Sequence, residues 1–192
     1  EIYRCDWSSD VCSSDLFYID GVYTIIDMAT AYGTSLGLNT TGLLLALLLT
    51  QIVAFPASLT FAVLSKTKDT ASLIKVAIIA YFLIALFAVQ LDKQWEFWVL
   101  AVAVGCFQGG IQALSRSYFA KIIPENASGE YFGLFDICGK GASFLGTMLI
   151  GVVTQITGKQ NLGVAALSIM FVIGYLIFNK VSQLSHIKNH QF

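Results

Sequence analysis

The sequence predicts an all-α membrane protein built as a bundle of six transmembrane helices. Of its 192 residues, 56% are hydrophobic and only 12% are charged, whereas soluble domains are about 25% charged. The apolar residues also form long blocks, close to the roughly 20 residues that cross about 30 Å of hydrocarbon. Strands of a membrane barrel are only about 9–11 residues long and alternate polar with apolar side chains, so these blocks favour helices. The six blocks are Phe17–Leu36, Gly42–Leu64, Leu73–Leu91, Phe97–Leu114, Tyr131–Ile156 and Leu162–Phe178.

Residues 1–16 differ in composition from everything that follows. The string DWSSDVCSSDL at Asp6–Leu16 looks like the conceptual translation of a sequencing adapter, and such fusion scars are left out of fold reasoning. A signal peptide is a competing interpretation, but no basic region precedes an apolar core here; a native soluble tail is the other. We therefore predict a native six-helix membrane domain over residues 17–182, with the start of its first helix missing, and a polar cytoplasmic tail over residues 183–192.

Basic residues are concentrated in the loops on one side of the predicted membrane. They are Lys66, Lys68, Arg116, Lys121, Lys180 and Lys188. The loops on the other side hold only Lys93 and Lys159. Because positive charge accumulates in cytoplasmic loops, we expect a cytoplasmic C-terminus. Arg116, near this boundary, is predicted to be a topology anchor, a gate residue or a substrate ligand, and Lys121 is grouped with it as a cytoplasmic gate or anchor.

Polar side chains recur at helical spacing in the first, second, fourth and fifth blocks, where they form one face of each helix. The third and sixth blocks have no such face. This difference predicts four helices around a polar cavity and two helices toward the lipid. The predicted substrate or ion pathway consists of Asp20, Tyr23, Thr24, Asp27, Gln108, Gln112, Asp136 and Lys140.

The charged residues within the blocks favour a function, because a charge at the centre of a membrane helix costs about 2.5–3.5 kcal/mol. Asp136 and Lys140 could instead form a static pair, since an acid four residues before a base is a favourable order. Asp20 and Asp27 have no basic neighbour in sequence, so they could pair with Lys140 across the bundle, titrate or face water. Gln108 and Gln112 could equally form hydrogen bonds that only hold neighbouring helices together.

Small residues at four-residue spacing predict close helix packing. The relevant glycines are Gly105, Gly109, Gly139 and Gly146. Because they lie in the fourth and fifth blocks, we expect these two helices to pack closely against each other.

The sequence shows no catalytic constellation. It has no cluster of metal ligands and no nucleotide-binding motif, and both histidines, His186 and His190, are close to the C-terminus. We therefore predict that the protein is not an enzyme, requires no metal or cofactor, and does not bind nucleic acid.

Three stretches carry a resemblance to a known family. They are FYIDGVYTIIDMATAYG at Phe17–Gly33, QIVAFPASL at Gln51–Leu59, and GGIQALSRSYFAKIIPENASGEYFGLF at Gly109–Phe135. The chain from about Phe17 onward resembles the C-terminal half of a major facilitator superfamily transporter of the vacuole-effluxer (autophagy-related 22-like) branch. The resemblance implies helices seven to twelve of a twelve-helix fold, with alternating access between two six-helix halves. It also implies that the third and sixth helices of the half are peripheral.

One loop departs from the superfamily pattern. Between the second and third blocks the chain reads AVLSKTKDTAS, with Lys66 where an acidic residue is expected. The conformational latch attributed to that loop is therefore in doubt for this half.

The leading functional hypothesis is a fragment of a secondary active transporter that moves a small polar solute. The resemblance to yeast members suggests amino acids as one substrate class. Its expected partners are that small-molecule substrate, the lipid bilayer and a missing N-terminal six-helix half, and a bacterial protein of this kind would lie in the cell membrane. The alternative is a non-transporting membrane scaffold or receptor-like subunit, which predicts polar residues scattered over separate interfaces without a central cavity.

Overall fold

The computed structural model describes the backbone of residues 2–91, 93–123 and 128–189. Side chains are described for residues 14, 16–91, 93–121, 123, 129–133, 135–137 and 144–183. Within the described backbone there are six α-helices and no β-strand, which confirms the prediction of an all-helical protein. The helices are α1 (Ile2–Ser35), α2 (Thr40–Thr67), α3 (Thr70–Ala88), α4 (Gln94–Ile122), α5 (Ser128–Thr157) and α6 (Gln160–Asn189).

Four of these helices are long and apolar enough to cross a membrane. They are α2, α3, α4 and α6, whereas α5 has a shorter apolar segment at Phe144–Thr157 among the residues described. The predicted span of α1 contains two aspartates and several hydroxyl-bearing residues, and this lowers its apolarity. The side chains of residues 138–143 of α5 lie outside the described ones, so α5 enters this comparison only from Phe144 onward. Length and apolarity thus account for four membrane spans, and the count of six remains a prediction.

Polar side chains and glycines define several helix ends. Asn39 precedes α2 and accepts a hydrogen bond from the Thr41 backbone N–H at 2.9 Å, and Asp69 does the same before α3 for the N–H of Ser72 at 3.2 Å. Such caps satisfy N–H groups that have no partner within the helix. After α1 and α5, Gly37 and Gly158 have φ values of 75° and 68°, a backbone region that favours glycine.

Two predicted boundaries do not coincide with helix ends. α1 begins at Ile2 and runs past Phe17 without a break, and α6 continues to Asn189, through most of the segment predicted as a tail. A helical conformation does not reveal the origin of residues 1–16, so their assignment to an adapter remains a prediction, as does the native domain at 17–182.

The backbones of α2 and α4 contact each other directly at glycines of α4. A Cβ atom at Gly105 would lie 2.8 Å from the Thr50 carbonyl oxygen, and one at Gly109 would lie 2.9 Å from that of Ala54. The Thr50 hydroxyl also donates a hydrogen bond to the Ala101 carbonyl oxygen at 3.2 Å. Absence of a side chain is therefore what permits this approach.

α1 packs against α5 and α6 in the same way. A Cβ atom at Gly146 of α5 would collide with the Thr24 hydroxyl. One at Gly174 of α6 would lie 3.0 Å from the Tyr18 Cβ. The expectation that the small residues of α4 and α5 pack against each other is therefore wrong for Gly105, Gly109 and Gly146, which instead contact α2 and α1. Gly139 belongs to α5, but its surroundings lie outside the described residues.

α3 is held between α4 and α6. The Tyr81 ring stacks on Phe171 of α6 with 5.8 Å between centroids, and its buried hydroxyl donates to the Val104 carbonyl oxygen of α4 at 3.4 Å. Half of the apolar segments of α3 and α6 is buried, against 22% for α2. Of these apolar segments, that of α2 is therefore the most exposed within the described chain, because α2 packs mainly on α4. The lipid-facing position of α3 and α6 remains a prediction.

Replacing Gly105 with Ala should destabilise the chain by about 1–3 kcal/mol, the usual cost of overpacking, because the new Cβ would meet the Thr50 carbonyl and the Val53 side chain. The measurement is the free energy of unfolding in detergent micelles. Gly151→Ala in α5 is the matched control, since no atom of the described residues lies within 4 Å of that Cβ position. There we expect no loss, or a gain of up to about 1 kcal/mol from helix propensity. Equal stability of the two variants would contradict the close α2–α4 packing.

Candidate functional site

Asp20 is the most deeply buried acidic residue of the predicted pathway among the side chains described. Its side chain lies in α1 with an exposed fraction of 0%. The Thr24 hydroxyl, one turn further along, donates to Asp20 Oδ1 at 3.4 Å. Oδ2 is buried and has no hydrogen-bond partner in the described part of the chain. Gly146 of α5 covers the pair, because a Cβ there would lie 3.2 Å from Oδ1.

The rest of the polar face of α1 is more accessible. Tyr23 is half-buried and packs against the apolar core, whereas Asp27, about two turns beyond Asp20, is exposed. The face predicted from sequence therefore combines a buried section at Asp20 and Thr24 with an accessible section at Asp27.

α4 places its polar side chains at two different depths. Gln108 is half-buried, and its Oε1 has no hydrogen-bond partner among the described residues. Gln112 is also half-buried. Ser115 is buried, and its hydroxyl shares a hydrogen bond of 2.7 Å with the hydroxyl of Tyr18. This bond ties α4 to α1 one residue before Arg116.

Asp136 forms an ion pair with Arg116. The distance from Arg116 Nη2 to Asp136 Oδ1 is 3.5 Å, and the two side chains are 62% and 49% exposed. The pair joins the end of α4 to the beginning of α5 across their connecting loop. Because an exposed pair is worth only about 0–1 kcal/mol in water, its role in stability is small.

The sequence pattern predicts an ion pair between Asp136 and Lys140 and does not indicate a contact between Asp136 and Arg116. Lys140 belongs to α5, but its side chain lies outside the described residues, so the predicted pairing is untested. An acid four residues before a base on one helix is a favourable spacing for an ion pair, and it therefore favours Lys140 as the partner. The contact with Arg116 depends on how α4 and α5 meet, which no local pattern reveals.

The two buried or half-buried acids lie at different levels of the bundle. Asp20 lies opposite Gly146, which is ten residues beyond Asp136 on α5. With a rise of 1.5 Å per residue, this separation is about 15 Å along the helix axis. The backbone of Lys140 lies between the two levels. The described side chains therefore form a deep polar site at Asp20 and a second one at the end of the bundle, not a single cluster.

The end of the bundle near Arg116 is connected by further polar contacts. Lys121 of α4 donates to the Thr70 hydroxyl at the start of α3 at 3.1 Å, and Lys75 of α3 donates to the Asn179 side-chain oxygen of α6 at 2.8 Å. These contacts bring together, at one end, several of the segments whose basic residues predicted a cytoplasmic side.

A stacked aromatic pair also joins α4 to α5 at this end of the bundle. Phe119 of α4 stacks on Phe135 of α5 with 4.6 Å between ring centroids. α4 and α5 thus meet here through both a stacked aromatic pair and the Arg116–Asp136 ion pair.

Two small cavities lie beside α1. One, of about 30 Å³, is bordered by α1, α2 and α4 and includes Thr50 and Gln51 in its lining. The other, also about 30 Å³, includes Thr24. Each has room for one or two water molecules and is too small for an organic solute. In the residues the structure describes, no group of three or more His, Cys, Asp or Glu side chains could hold a metal ion.

Comparison with known proteins identifies the family. Residues 11–191 match the family described as "Vacuole effluxer Atg22 like". The chain belongs to this family. The match begins inside the segment predicted to be an adapter, and it extends to the second-last residue of the chain.

Individual relatives agree with this assignment. The chain is 45% identical over 161 residues to the uncharacterized MFS-type transporter YxiO of Bacillus subtilis, covering 84% of this chain and 38% of that protein. It is 34% identical over 95 residues to autophagy-related protein 22 of Eremothecium gossypii, covering 50% of this chain and 19% of that protein. The chain spans less than two-fifths of the length of either relative.

Family membership and the apolar helices define the class of protein. The relatives are transporters and effluxers rather than enzymes. With four helices able to cross a bilayer, the chain is an integral, multi-pass membrane protein of the major facilitator type.

Tyr18 and Ser115 should be energetically coupled through the hydrogen bond between their hydroxyl groups. Tyr18→Phe and Ser115→Ala each leave a buried hydroxyl without its present partner, which costs about 1–3 kcal/mol. The double variant should lose about 0.5–1.5 kcal/mol less than the sum, the range found for hydrogen bonds between membrane helices. Unfolding free energies of the four proteins in micelles measure this coupling.

Thr60→Ala supplies the control, since the exposed Thr60 hydroxyl bonds only its own helix backbone, at Ala57. Combined with Tyr18→Phe, it should be additive within about 0.3–0.5 kcal/mol. Additivity of Tyr18→Phe with Ser115→Ala would instead show that the α1–α4 bond does not contribute.

Proposed function

We propose that the chain is the C-terminal half of a twelve-helix secondary transporter that moves a small polar solute by alternating access. The observation that carries this proposal is the family match over residues 11–191. The coverage of only 38% of the Bacillus relative supports the view that a second half exists. In this scheme the two halves rock about a site near the middle of the membrane.

All six helices would cross the membrane in this arrangement. α1 is less apolar than the other helices, yet it packs along α6, as α5 does, and the apolarity of α6 is sufficient for a span. Contacts of Tyr18 with Gly174, and of Gly21 with Phe171, follow α1 along α6. Polar residues on such inner helices are tolerated because they face protein or a water-filled route instead of lipid.

The missing half would cover the exposed apolar faces of α2 and α5. On α2 the outward side chains recur every three or four residues, which is the spacing of a helix-packing face. They are Leu44, Leu48, Ile52, Phe55, Leu59 and Val63, with exposed fractions of 54–71%. On α5, Ile137, Phe144 and Met148 are 55–70% exposed. We assign both faces to contacts with the N-terminal half.

The substrate route would run between these faces, past Asp20, Gln108, Asp136 and Lys140. The two cavities beside α1 are too small for a solute, so we place the binding site between this half and the second half. Amino acids suit this chemistry, since they offer an ammonium group to carboxylates and a carboxylate to Lys140 or Arg116. This substrate class rests on the family resemblance and on that complementarity.

A non-transporting scaffold or receptor-like subunit is the second candidate. The observation that favours it is the separation of Asp20 and Asp136 by about 15 Å along the bundle, with polar contacts distributed over several helix interfaces. It predicts that the complete protein binds no small polar solute and moves none.

Transport by the complete protein distinguishes the two candidates. The full-length gene, obtained by sequencing upstream of the Phe17 codon, would be expressed and reconstituted into liposomes, and uptake of radiolabelled amino acids would be measured. We expect Asp136→Asn and Lys140→Ala to reduce uptake at least about tenfold, equivalent to 1.4 kcal/mol, with normal insertion into the membrane.

Glu130→Gln is the matched control for that experiment, because Glu130 is an exposed acid on the same helix, α5, outside the proposed route. It should retain full uptake. Unchanged uptake in both Asp136→Asn and Lys140→Ala would remove these residues from the mechanism. Absence of uptake and of solute binding in the unaltered protein would favour the scaffold.

The basic end of the bundle should be cytoplasmic. Green fluorescent protein fused after Phe192 should fluoresce in a bacterial inner membrane, and alkaline phosphatase at the same place should be inactive, because positive charge is retained inside. Phosphatase inserted after Gly158, in the α5–α6 turn, should be active. The reverse pattern would overturn the orientation and the assignment of Arg116 and Lys121 to a cytoplasmic gate.

A further inference from the structure

Asp20 occupies a position that is costly for a carboxylate. Its side chain is fully buried, and the hydroxyl of Thr24 is bound to Oδ1 alone. Oδ2 is enclosed and has no hydrogen-bond donor in the part of the chain that the structure describes. An ionised group in an apolar environment needs a partner, and without one it becomes neutral instead.

The side chains described around Asp20 provide no counter-charge at its level. The segments that pack near it carry no Asp, Glu, Lys or Arg. These segments are residues 42–64 of α2, 76–90 of α3, 104–115 of α4, 141–157 of α5 and 161–179 of α6. Other titratable groups in this region are Tyr18, Tyr23, Tyr81, Cys106 and Tyr175, and none of them supplies a positive charge.

Charged residues flank this level on α1, α4 and α5. On α4, Arg116 follows Ser115, the partner of Tyr18, and forms the ion pair with Asp136. Asp27 is exposed about two turns along α1, and Asp15 lies five residues before Asp20, with its side chain outside the described range. On α5, Lys140 lies six residues before Gly146, about 9 Å along the helix axis. The two other acids on α1 cannot neutralise a negative charge on Asp20. The Lys140 backbone lies more than one helical turn from the level of Asp20.

We propose that Asp20 is a proton-binding site of the transport cycle, occupied while α5 covers it and emptied when α5 separates from α1 at Gly146. The proposal rests on the transporter function proposed above. The step is a reversible proton transfer: the O–H bond at Oδ2 breaks, the proton passes to water that enters between the helices, and a carboxylate remains. A proton suits the site better than a metal ion, because hard metal cations need about six oxygen ligands, and the polar neighbours of the carboxyl are the Thr24 hydroxyl and the Gly146 backbone.

Gly146 acts as the cover of this site. A Cβ atom there would collide with the Thr24 hydroxyl and lie 3.2 Å from Asp20 Oδ1. Only a residue without a side chain lets the α5 backbone approach this closely. The same contact that holds α1 to α5 therefore isolates the carboxyl group from water, and separation of the two helices would expose it.

Infrared spectroscopy of the whole 192-residue chain in lipid nanodiscs tests the proposal without a substrate. At neutral pH we expect a protonated-carboxyl band that shifts to lower frequency in D2O. Asp20→Asn should remove the band, and Asp27→Asn, the matched control on the same helix, should leave it unchanged. Absence of the band in the unaltered chain, or its persistence in Asp20→Asn, would overturn the assignment.

Two further variants separate a specific role from a folding defect. Thr24→Val removes the hydroxyl bound to Oδ1 and should shift the band to higher frequency without loss of intensity. Gly146→Ala should accelerate exchange of the carboxyl proton with D2O, with helix content unchanged by circular dichroism. An unshifted band in Thr24→Val would show that the protonated group is not Asp20, and unchanged exchange in Gly146→Ala would show that α5 is not its cover.

This measurement is independent of transport. If the band does not belong to Asp20, the protein can still be a transporter in which another residue binds the proton. If the complete protein does not transport amino acids, Asp20 can still be a buried proton-binding group, but it has no role in a transport cycle. The two proposals can therefore fail separately.

Discussion

Close approach of helix backbones at glycine is the constraint on which the rest of the structure depends. Gly105 and Gly109 bring α4 against α2, and Gly146 and Gly174 bring α5 and α6 against α1. In a bilayer, apolar side chains gain little by leaving lipid, so helix association relies on packing at short range and on hydrogen bonds. These contacts determine which polar residues are enclosed and which remain accessible.

The polar residues follow from that packing. Where Gly146 covers α1, Asp20 and Thr24 are removed from solvent. Where α4 and α5 meet near their connecting loop, Arg116 and Asp136 form an exposed pair. A deep site between α1 and α5 and an end site between α4 and α5 give the proposed transporter half two places at which movement of α5 would change the environment of an acid. This arrangement agrees with membership in a family of effluxers and supports a rocking mechanism.

Much of the fold was predictable because the bilayer imposes a simple rule on sequence. A chain that must satisfy every backbone polar group internally forms helices of about 20 apolar residues, and five of the six blocks lie almost wholly within the helices found. Leu73–Leu91 extends past the end of α3 at Ala88. The partners of the glycines were not predictable, because small-residue spacing shows that a helix packs closely without showing against which neighbour. The exposure of α2 was missed for the same reason.

The sequence by itself determined the class of protein, the helices and the identity of the polar residues, since composition and periodicity are local properties. Only the tertiary structure decided that Asp20 is enclosed while Asp27, on the same face of α1, is exposed. It also decided that Asp136 meets Arg116 across two helices. Burial and charge pairing depend on what the neighbouring helix presents at a given depth, and that information is distributed over segments far apart in the chain.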